Sequence, residues 1–240
     1  MSTSTATTPG VPKYYRVKQE ILRLIDGAAP GTYIPTERAL AETYATSRST
    51  VRQAIAELVA EGRLDRTQGS GTFVAPPKLT HVRQLTSFSE DAEAQGWTTT
   101  SDLLAVQQVS LAPEAAALLG VDAGNRAHRV ERLRYLDGDP LVHEVALLPG
   151  RLPGLRRELD RRGSLYVALR EAYGISIAEV EDTVETALAG PESAALLGIE
   201  TGTPLLVVQR VARDADGAAV ELTRSEFRGD RFRFVARLHV

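Results

Sequence analysis

The chain has 240 residues, enough for one large domain or two of modest size, and 43% hydrophobic residues suffice for compact cores. It has no cysteine, which excludes disulfide frameworks, cysteine zinc sites and thiol catalysis. No apolar run approaches the ~18 residues of a membrane-spanning helix, and the Ser/Thr-rich residues 1–10 lack the features of a signal peptide. We therefore expect a disordered N-terminus, residues 1–10, on a cytoplasmic protein with no membrane partner.

The net charge of −3 conceals an uneven distribution. Residues 1–78 hold 10 Lys and Arg against 7 Asp and Glu, a balance of +3, whereas residues 79–240 hold 18 against 24, a balance of −6. A basic segment favours anionic partners such as nucleic acid. The N-terminal part is therefore where we expect a DNA-binding surface.

Three helices are predicted in this basic part. The first covers residues 11–26 and stops at a glycine-rich segment, and the second starts at Thr36 and runs to about Tyr44. The third follows after only three residues, with Ser47 as its N-cap. Two helices joined by so short a turn have the spacing of a helix-turn-helix.

The third helix has the pattern of a DNA-recognition helix. Its apolar residues recur at helical spacing, which predicts one buried face (Val51, Ala54, Ile55, Leu58 and Val59). Ser49, Arg52 and Gln53 fall on the other faces, and Arg48 precedes Arg52 by one turn at the positive end of the helix dipole. These residues favour contact with an anion.

A hairpin is predicted after the third helix, which we expect Gly62 to end. Residues 63–67 and 72–75 read as short strands around Gln68-Gly69-Ser70-Gly71. The turn glycines would let a wing approach the DNA backbone, although tight hairpins favour glycine in any case. The segment 11–75 would form one domain, and Pro76-Pro77 would begin a stiff linker over residues 76–84.

The N-terminal motifs resemble the winged helix-turn-helix of the GntR superfamily of bacterial transcription regulators. The resemblance lies in residues 35–41 (PTERALA), 47–54 (SRSTVRQA), Glu61-Gly62 and 68–74 (QGSGTFV). It implies DNA contacts by Arg38, Arg48, Thr50, Arg52 and Gly69, to which we add Ser49 and Gln53 from the same helix. Arginine can bind a phosphate or donate two hydrogen bonds to guanine, so the sequence leaves open which of these arginines contacts bases.

The C-terminal part contains an internal repeat. Residues 113–121 (PEAAALLGV) return as 191–199 (PESAALLGI), and each segment reads as a short helix with Pro at its start and Gly at its end. A predicted hairpin follows each, so that Arg132 corresponds to Arg210 and Glu144 to Glu221. We expect two halves about a pseudo-twofold axis in one antiparallel sheet, with chance similarity of Ala/Leu-rich helices as the alternative.

Two arginines on one predicted strand indicate an anion pocket. Alternation places Arg132 and Arg134 on the same strand face, where they would repel each other unless an anion or acids lie between them. Ser164 and Tyr166 open a further helix, whose N-terminal N–H groups favour phosphate. The alternative is a pair of solvated or salt-bridged arginines.

Residues 85–240 resemble the UTRA effector-binding domain of the HutC subfamily, whose fold is like that of chorismate lyase. The likeness lies in residues 85–91 (LTSFSED), 130–134 (VERLR), 163–166 (GSLY), 181–185 (EDTVE) and 226–232 (EFRGDRF). It is greatest with regulators of aminosugar use, which respond to glucosamine 6-phosphate or N-acetylglucosamine 6-phosphate. It implies a phosphate site of Ser89, Arg132, Arg134, Ser164 and Tyr166, sugar contacts by Glu144 and Glu221, and Phe227 in place of a tyrosine.

The sequence thus predicts an α+β protein with a winged helix-turn-helix domain and a UTRA domain. We expect a homodimeric repressor that binds double-stranded operator DNA and a small anionic effector, without cofactor, metal or catalytic residues. One alternative is an enzyme that acts on a sugar phosphate with Glu144 and Glu221 as acid and base, but the sequence offers no nucleophile–base set and no cofactor loop. Another is a regulator of the same family with a different effector.

Overall fold

The computed structural model describes residues 11–67, 71–82 and 96–235, in two compact units, Met1–Lys78 and Leu79–Val240. The N-terminal residues 1–10 and the predicted contact residues Gly69 and Ser89 lie outside the described residues. Predictions for them therefore remain predictions.

The first unit is a three-helix fold with a hairpin. Helices α1 (Lys13–Leu24), α2 (Glu37–Thr43) and α3 (Arg48–Ala60) precede the antiparallel strands β1 (Leu64–Thr67) and β2 (Gly71–Val74). Four residues of the predicted α3 stripe are buried (Val51, Ala54, Ile55 and Leu58), Val59 is partly buried, and the stripe packs with apolar residues of α1 and α2 (Val17, Ile21, Leu40). The winged helix-turn-helix prediction is confirmed.

Hydroxyl caps start the two helices of this motif. Thr36 Oγ1 accepts a hydrogen bond from the Ala39 amide at 3.3 Å, and Ser47 Oγ accepts one from the Thr50 amide at 3.2 Å. Each cap satisfies a backbone N–H that has no carbonyl partner within its helix. The caps fix where α2 and α3 begin, and so they fix the short turn between the helices.

The second unit is built on a six-stranded antiparallel sheet. Its strands are β4 (Thr99–Ser110), β5 (Arg126–Leu136), β6 (Asp139–Pro149), β7 (Glu179–Leu188), β8 (Pro204–Arg213) and β9 (Ala219–Arg228), in the order β4-β5-β6-β9-β8-β7. Its helices are α4 (Pro113–Leu119), α5 (Leu155–Arg162), α6 (Leu165–Tyr173) and α7 (Pro191–Leu197).

A separate two-stranded ribbon corrects the linker prediction. Strands β3 (Leu79–Val82) and β10 (Phe232–Val235) pair in parallel. Residues 79–82, which the sequence placed in the linker 76–84, therefore belong to the second unit. Leu79 is 1% exposed and lies in the same apolar cluster as Phe232, a contact across some 150 residues that no local pattern indicates.

The predicted repeat is present and longer than expected. The strand order reads β4-β5-β6 and then β9-β8-β7, so each half consists of a leading strand, a helix and a hairpin. Helices α4 and α7 both carry Pro in the first turn and end at a glycine with φ of +64°, at Gly120 and Gly198. The leading strands β4 and β7 were not part of the predicted repeat.

The cross-strand register corrects one predicted correspondence. Arg132 pairs with Glu144, whereas Arg210 pairs with Thr223 and Glu221 pairs with Ala212. Glu221 therefore lies two residues before the position equivalent to Glu144. The cause is the longer turn of the second hairpin, which shifts the register without changing which sheet face a residue occupies.

The two faces of the sheet are covered differently. On one face, α4 contributes Ala116 and Leu119 to an apolar cluster with Leu222 of β9, while α7 packs near β6. On the other face, α5 and α6 cover Val130 and Leu148 of the first half. In the described residues the second half has no such helix pair after β9, and the polar pocket described below lines this same face.

Candidate functional site

The polar face of α3, together with Arg38 on α2, carries the residues predicted to contact DNA that the structure describes. Arg38, Arg48, Ser49, Arg52 and Gln53 are exposed, and Thr50 is half-buried. Oγ1 of Thr50 lies 2.8 Å from the Ser47 hydroxyl, so this side chain is fixed at the helix start. The arrangement presents cationic and polar groups at the positive end of the helix dipole, where an anion is favoured.

Glu37 links this face to the wing, and the sequence analysis did not single it out for this contact. Its carboxylate accepts hydrogen bonds from Arg52, with 3.1 Å between Nη2 and Oε2, and from Arg66 of β1, with 3.2 Å between Nη2 and Oε1. The hydrogen bond from Arg52 is the largest influence on the pKa of Glu37 and lowers it. Arg66 also was not predicted, because its part in this contact depends on how the hairpin folds back on α2.

The second unit contains a pocket between one sheet face and the start of α6. Its volume is about 620 Å³, including the open space at its mouth. All the predicted effector-binding residues that the structure describes line it: Arg132, Arg134, Glu144, Ser164, Tyr166, Glu221 and Phe227. The lining also includes Val208, Arg210, Thr223 and Ser225, which the sequence analysis did not assign to a site.

Strand pairing explains how residues so far apart in sequence meet. Arg132 on β5 pairs with Glu144 on β6, which pairs with Ser225 on β9, which pairs with Val208 on β8. Directly paired residues point to the same side of a sheet. One continuous row across four strands therefore forms the floor of the pocket.

Glu144 lies between the two arginines. Nη2 of Arg132 donates to Oε1 of Glu144, and Nη1 of Arg134 donates to Oε2 at 3.3 Å. Both arginines are 5% exposed, so they are salt-bridged rather than solvated. Burial alone would raise the pKa of Glu144, but the two arginines outweigh it and lower the pKa to about 2.

Arg132 keeps donors that the described residues do not satisfy. Its Nε and Nη1 atoms are buried and have no hydrogen-bond partner among the residues that the structure describes. An unsatisfied charged donor in a protein interior is costly. Arg132 lines the pocket, and these donors are chemically suited to an anionic oxygen.

A second polar group lies across the pocket. Tyr166 donates to Oε2 of Glu221 at 3.0 Å, and burial, followed by the charge of Glu144, raises the pKa of Glu221. Arg210 forms a bidentate pair with Asp182 on β7, with distances of 2.7 and 2.9 Å. The pocket thus contains two polar groups, the Arg132–Glu144–Arg134 ion pairs and the Tyr166–Glu221 hydrogen bond with Arg210 nearby.

Ser164 and Phe227 complete the lining. Ser164 caps α6 by accepting from the Val167 amide at 3.4 Å, so its hydroxyl proton remains available for donation. The Phe227 ring stacks on Phe232 with 3.8 Å between centroids, which gives the pocket an apolar wall at this point.

Two further observations concern the described residues as a whole. None of their helices is both long and apolar enough to cross a membrane. Within the same residues, no group of three or more His, Cys, Asp and Glu side chains is placed to hold a metal ion.

Comparison with known proteins agrees with both units. Residues 13–74 match the model of bacterial regulatory proteins of the gntR family, and residues 94–233 match the model of the UTRA domain. The transcriptional repressor PhnF of Mycolicibacterium smegmatis is 38% identical over 98% of this chain and 96% of its own length. The transcriptional repressor NagR of Bacillus subtilis is 36% identical over 94% of each chain.

A solved structure gives the same result. The crystal structure of PhnF from Mycobacterium smegmatis is similar to this chain with a TM-score of 0.67 and 39% sequence identity, and the match covers 93% of this chain and 99% of that one. These relatives are regulators, which rules against the enzyme alternative. The chain belongs to the gntR family of bacterial regulatory proteins, in its HutC subfamily, and is a transcription regulator whose C-terminal unit is a UTRA domain.

Proposed function

We propose that the protein is a homodimeric repressor that binds double-stranded operator DNA and is controlled by a phosphorylated aminosugar. Glucosamine 6-phosphate and N-acetylglucosamine 6-phosphate are the proposed effectors. The protein would act in the cytoplasm, where bacterial DNA lies. Relatives over nearly the whole chain are named as transcriptional repressors, which supports the sign of the regulation.

The DNA-binding part of the proposal rests on α3. Its polar face carries Arg48, Ser49, Thr50, Arg52 and Gln53, which we propose contact DNA together with Arg38 of α2 and Gly69 of the wing. Residues 1–78, which include them, have a net charge of +3, although the whole chain has a net charge of −3. Cationic side chains at a helix start both hold phosphates and reach guanine edges in the major groove. In a homodimer, two such helices would enter half-sites about one helical turn apart.

The effector part rests on one observation above the others: the buried, unsatisfied Nε and Nη1 atoms of Arg132. They lie in a pocket that also holds Arg134 and the N-terminal turn of α6. Guanidinium donors and helix N-terminal amides both favour a phosphate group. We therefore propose that Arg132, Arg134, Ser164 and Tyr166 hold the phosphate, together with Ser89 as the resemblance implies.

The sugar would extend toward Glu221. Carboxylate oxygens accept hydrogen bonds from sugar hydroxyl and amino groups, and Glu144 and Glu221 are the acids of this pocket. Phe227 offers an apolar face but no hydroxyl, so we expect fewer polar contacts to the sugar than to the phosphate. The phosphate is thus the part of the effector for which the geometry argues most directly.

Calorimetric titration of the full chain tests the effector. We expect glucosamine 6-phosphate or N-acetylglucosamine 6-phosphate to bind and to lower affinity for a duplex selected by the protein from a random library. Glucosamine and N-acetylglucosamine should do neither, and Arg132→Ala should bind the duplex normally but no longer respond. Equal binding of the unphosphorylated sugars would refute the phosphate assignment. Sedimentation analysis with and without the duplex tests the dimer.

A further inference from the structure

The pocket already contains an anion of its own. The Glu144 carboxylate spans both arginines, with Oε1 on Arg132 and Oε2 on Arg134. These are the groups to which the phosphate is assigned above, and Glu144 is 8% exposed, so water screens the contact little. The carboxylate therefore occupies an anion position between the two arginines.

The position of the Glu144 carboxylate on the Arg132 guanidinium affects how a phosphate can bind there. A guanidinium binds an anion in a bidentate manner along either of two edges, Nε with Nη2 or Nη1 with Nη2. Glu144 takes Nη2, the atom common to both edges, while Nε and Nη1 on either side have no partner among the described residues. Nη2 has one N–H on each edge, so a phosphate that binds along the edge used by Glu144 must displace it, and a phosphate on the other edge must share Nη2 with it.

We propose that Glu144 is a built-in competitor of the effector's phosphate, so that binding requires the phosphate to take over the arginine pair from this carboxylate. The inference rests on the proposed function, since it assumes that the pocket receives a phosphate. A phosphate dianion carries more charge than one carboxylate and displaces it, and the released carboxylate is then free to accept hydrogen bonds from the sugar. Glu144 thereby sets a threshold that weaker anions do not pass.

This role differs from two simpler ones. If Glu144 only neutralises buried arginines, its removal damages the fold without favouring phosphate. If Glu144 only contacts the sugar, its removal weakens the binding of sugar phosphates and leaves the binding of inorganic phosphate unchanged. Competition predicts that loss of the carboxylate improves binding of inorganic phosphate, a ligand that has no sugar, and by more than loss of an acid elsewhere in the domain.

The test compares wild type, Glu144→Gln and Glu131→Gln in calorimetric titrations of the full chain with inorganic phosphate and with glucosamine 6-phosphate. Glu131 is a matched control, because it is also a partly buried acid bonded to an arginine, at 2.6 Å from Arg129, but it lies on the opposite sheet face. We expect Glu144→Gln to bind inorganic phosphate roughly tenfold more tightly and Glu131→Gln to match wild type. Unchanged or weaker phosphate binding by Glu144→Gln overturns the inference.

Thermal unfolding covers the case in which Glu144→Gln is unstable. A ligand that binds only the folded state stabilises it more the more tightly it binds, so phosphate should raise the Tm of Glu144→Gln more than that of wild type. Glu144→Asp, which keeps the charge on a shorter side chain, should show an intermediate rise. An equal or smaller rise in Glu144→Gln counts against competition, whereas failure of every phosphorylated compound to bind any of the variants refutes the proposed function itself.

Discussion

Glu37 and Arg52 are joined across the helix-turn-helix, with Nη2 of Arg52 lying 3.1 Å from Oε2 of Glu37. The carboxylate is largely buried while the arginine is 59% exposed. Arg66 of the wing strand binds the other carboxylate oxygen. A single acid thus positions one arginine of the recognition helix and one of the hairpin, and it lowers their mutual repulsion.

We predict that Glu37→Gln weakens binding to a selected operator duplex by several-fold, although it removes no proposed DNA contact. An amide holds a guanidinium less firmly than a carboxylate does, so the two arginines would be less ordered before binding. Arg52→Ala should lower the affinity for the duplex further, because it removes the proposed contact between Arg52 and DNA. Fluorescence anisotropy with a labelled duplex measures both. Glu20→Gln, in an exposed pair with Arg23, is the control, and normal affinity of Glu37→Gln would contradict the positioning role.

The cap of α3 gives a second prediction. Ser47→Ala should cost about 1 kcal/mol of local helix stability, since the Thr50 amide loses its acceptor. Hydrogen exchange should accelerate in the first turn of α3 and leave α1 unchanged. Ser49→Ala is the matched control, because the Ser49 hydroxyl lies 2.8 Å from that of Ser47 but does not accept the hydrogen bond from the Thr50 amide. Equal exchange in the two variants would argue against the cap.

The repeated helix ends give a third prediction. Gly120 and Gly198 both have φ of +64°, a conformation that costs about 1 kcal/mol with a Cβ. Gly120→Ala and Gly198→Ala should therefore destabilise the second unit by similar amounts in urea unfolding followed through Trp97. Gly190→Ala, at φ of −73° with no atom within 4 Å of the added Cβ, should cost clearly less. Unequal losses at Gly120 and Gly198 would show that the two helix ends are not equivalent.

The two pocket glutamates should respond to pH with opposite sign. The pKa of Glu144 is lowered to about 2 from an ordinary value of 4.5, so its carboxylate stabilises the fold above about pH 5 and this contribution is lost as the pH falls toward 2. Burial raises the pKa of Glu221, so its ionised form opposes folding at neutral pH, and this penalty disappears in acid.

Thermal unfolding across this range checks the signs. Without ligand, Glu144→Gln should be less stable than wild type near neutral pH, with a gap that closes on acidification. Glu221→Gln, whose amide oxygen can still accept from Tyr166, should be more stable near neutral pH, and its advantage should also vanish in acid. If both variants were less stable, or both more stable, than wild type near neutral pH, the opposite pKa shifts of Glu144 and Glu221 would be contradicted.

Local patterns in the sequence predicted the features that depend on neighbours in the chain. The hydroxyl caps, the buried stripe of α3 and the Pro-to-Gly helices all follow from spacings of a few residues. Alternation also placed Arg132 and Arg134 on one face. Alternation does not determine cross-strand register, however, so neither the contact of both arginines with Glu144 nor the offset of Glu221 was visible.

Contacts between distant segments were missed for the same reason. The pairing of β3 with β10 and the part of Arg66 at Glu37 depend on how the chain folds back on itself. Arg210 was noted only as the counterpart of Arg132. Its place in the pocket depends on the pairing of the second hairpin with the first, through strands β9 and β6. The sequence thus indicated the kind of site and most of its members, but not the contacts that set its electrostatics.

The crossed packing of α4 and α7 bears on how the second unit could be divided. Helix α4 completes its apolar cluster with Leu222 and Val211 of the other half, and α7 packs toward β6. A chain cut between α6 and β7 would give two fragments that each expose apolar surface meant for the other. We expect such fragments to be unstable singly and to reassemble when mixed, as two subunits of a dimer would.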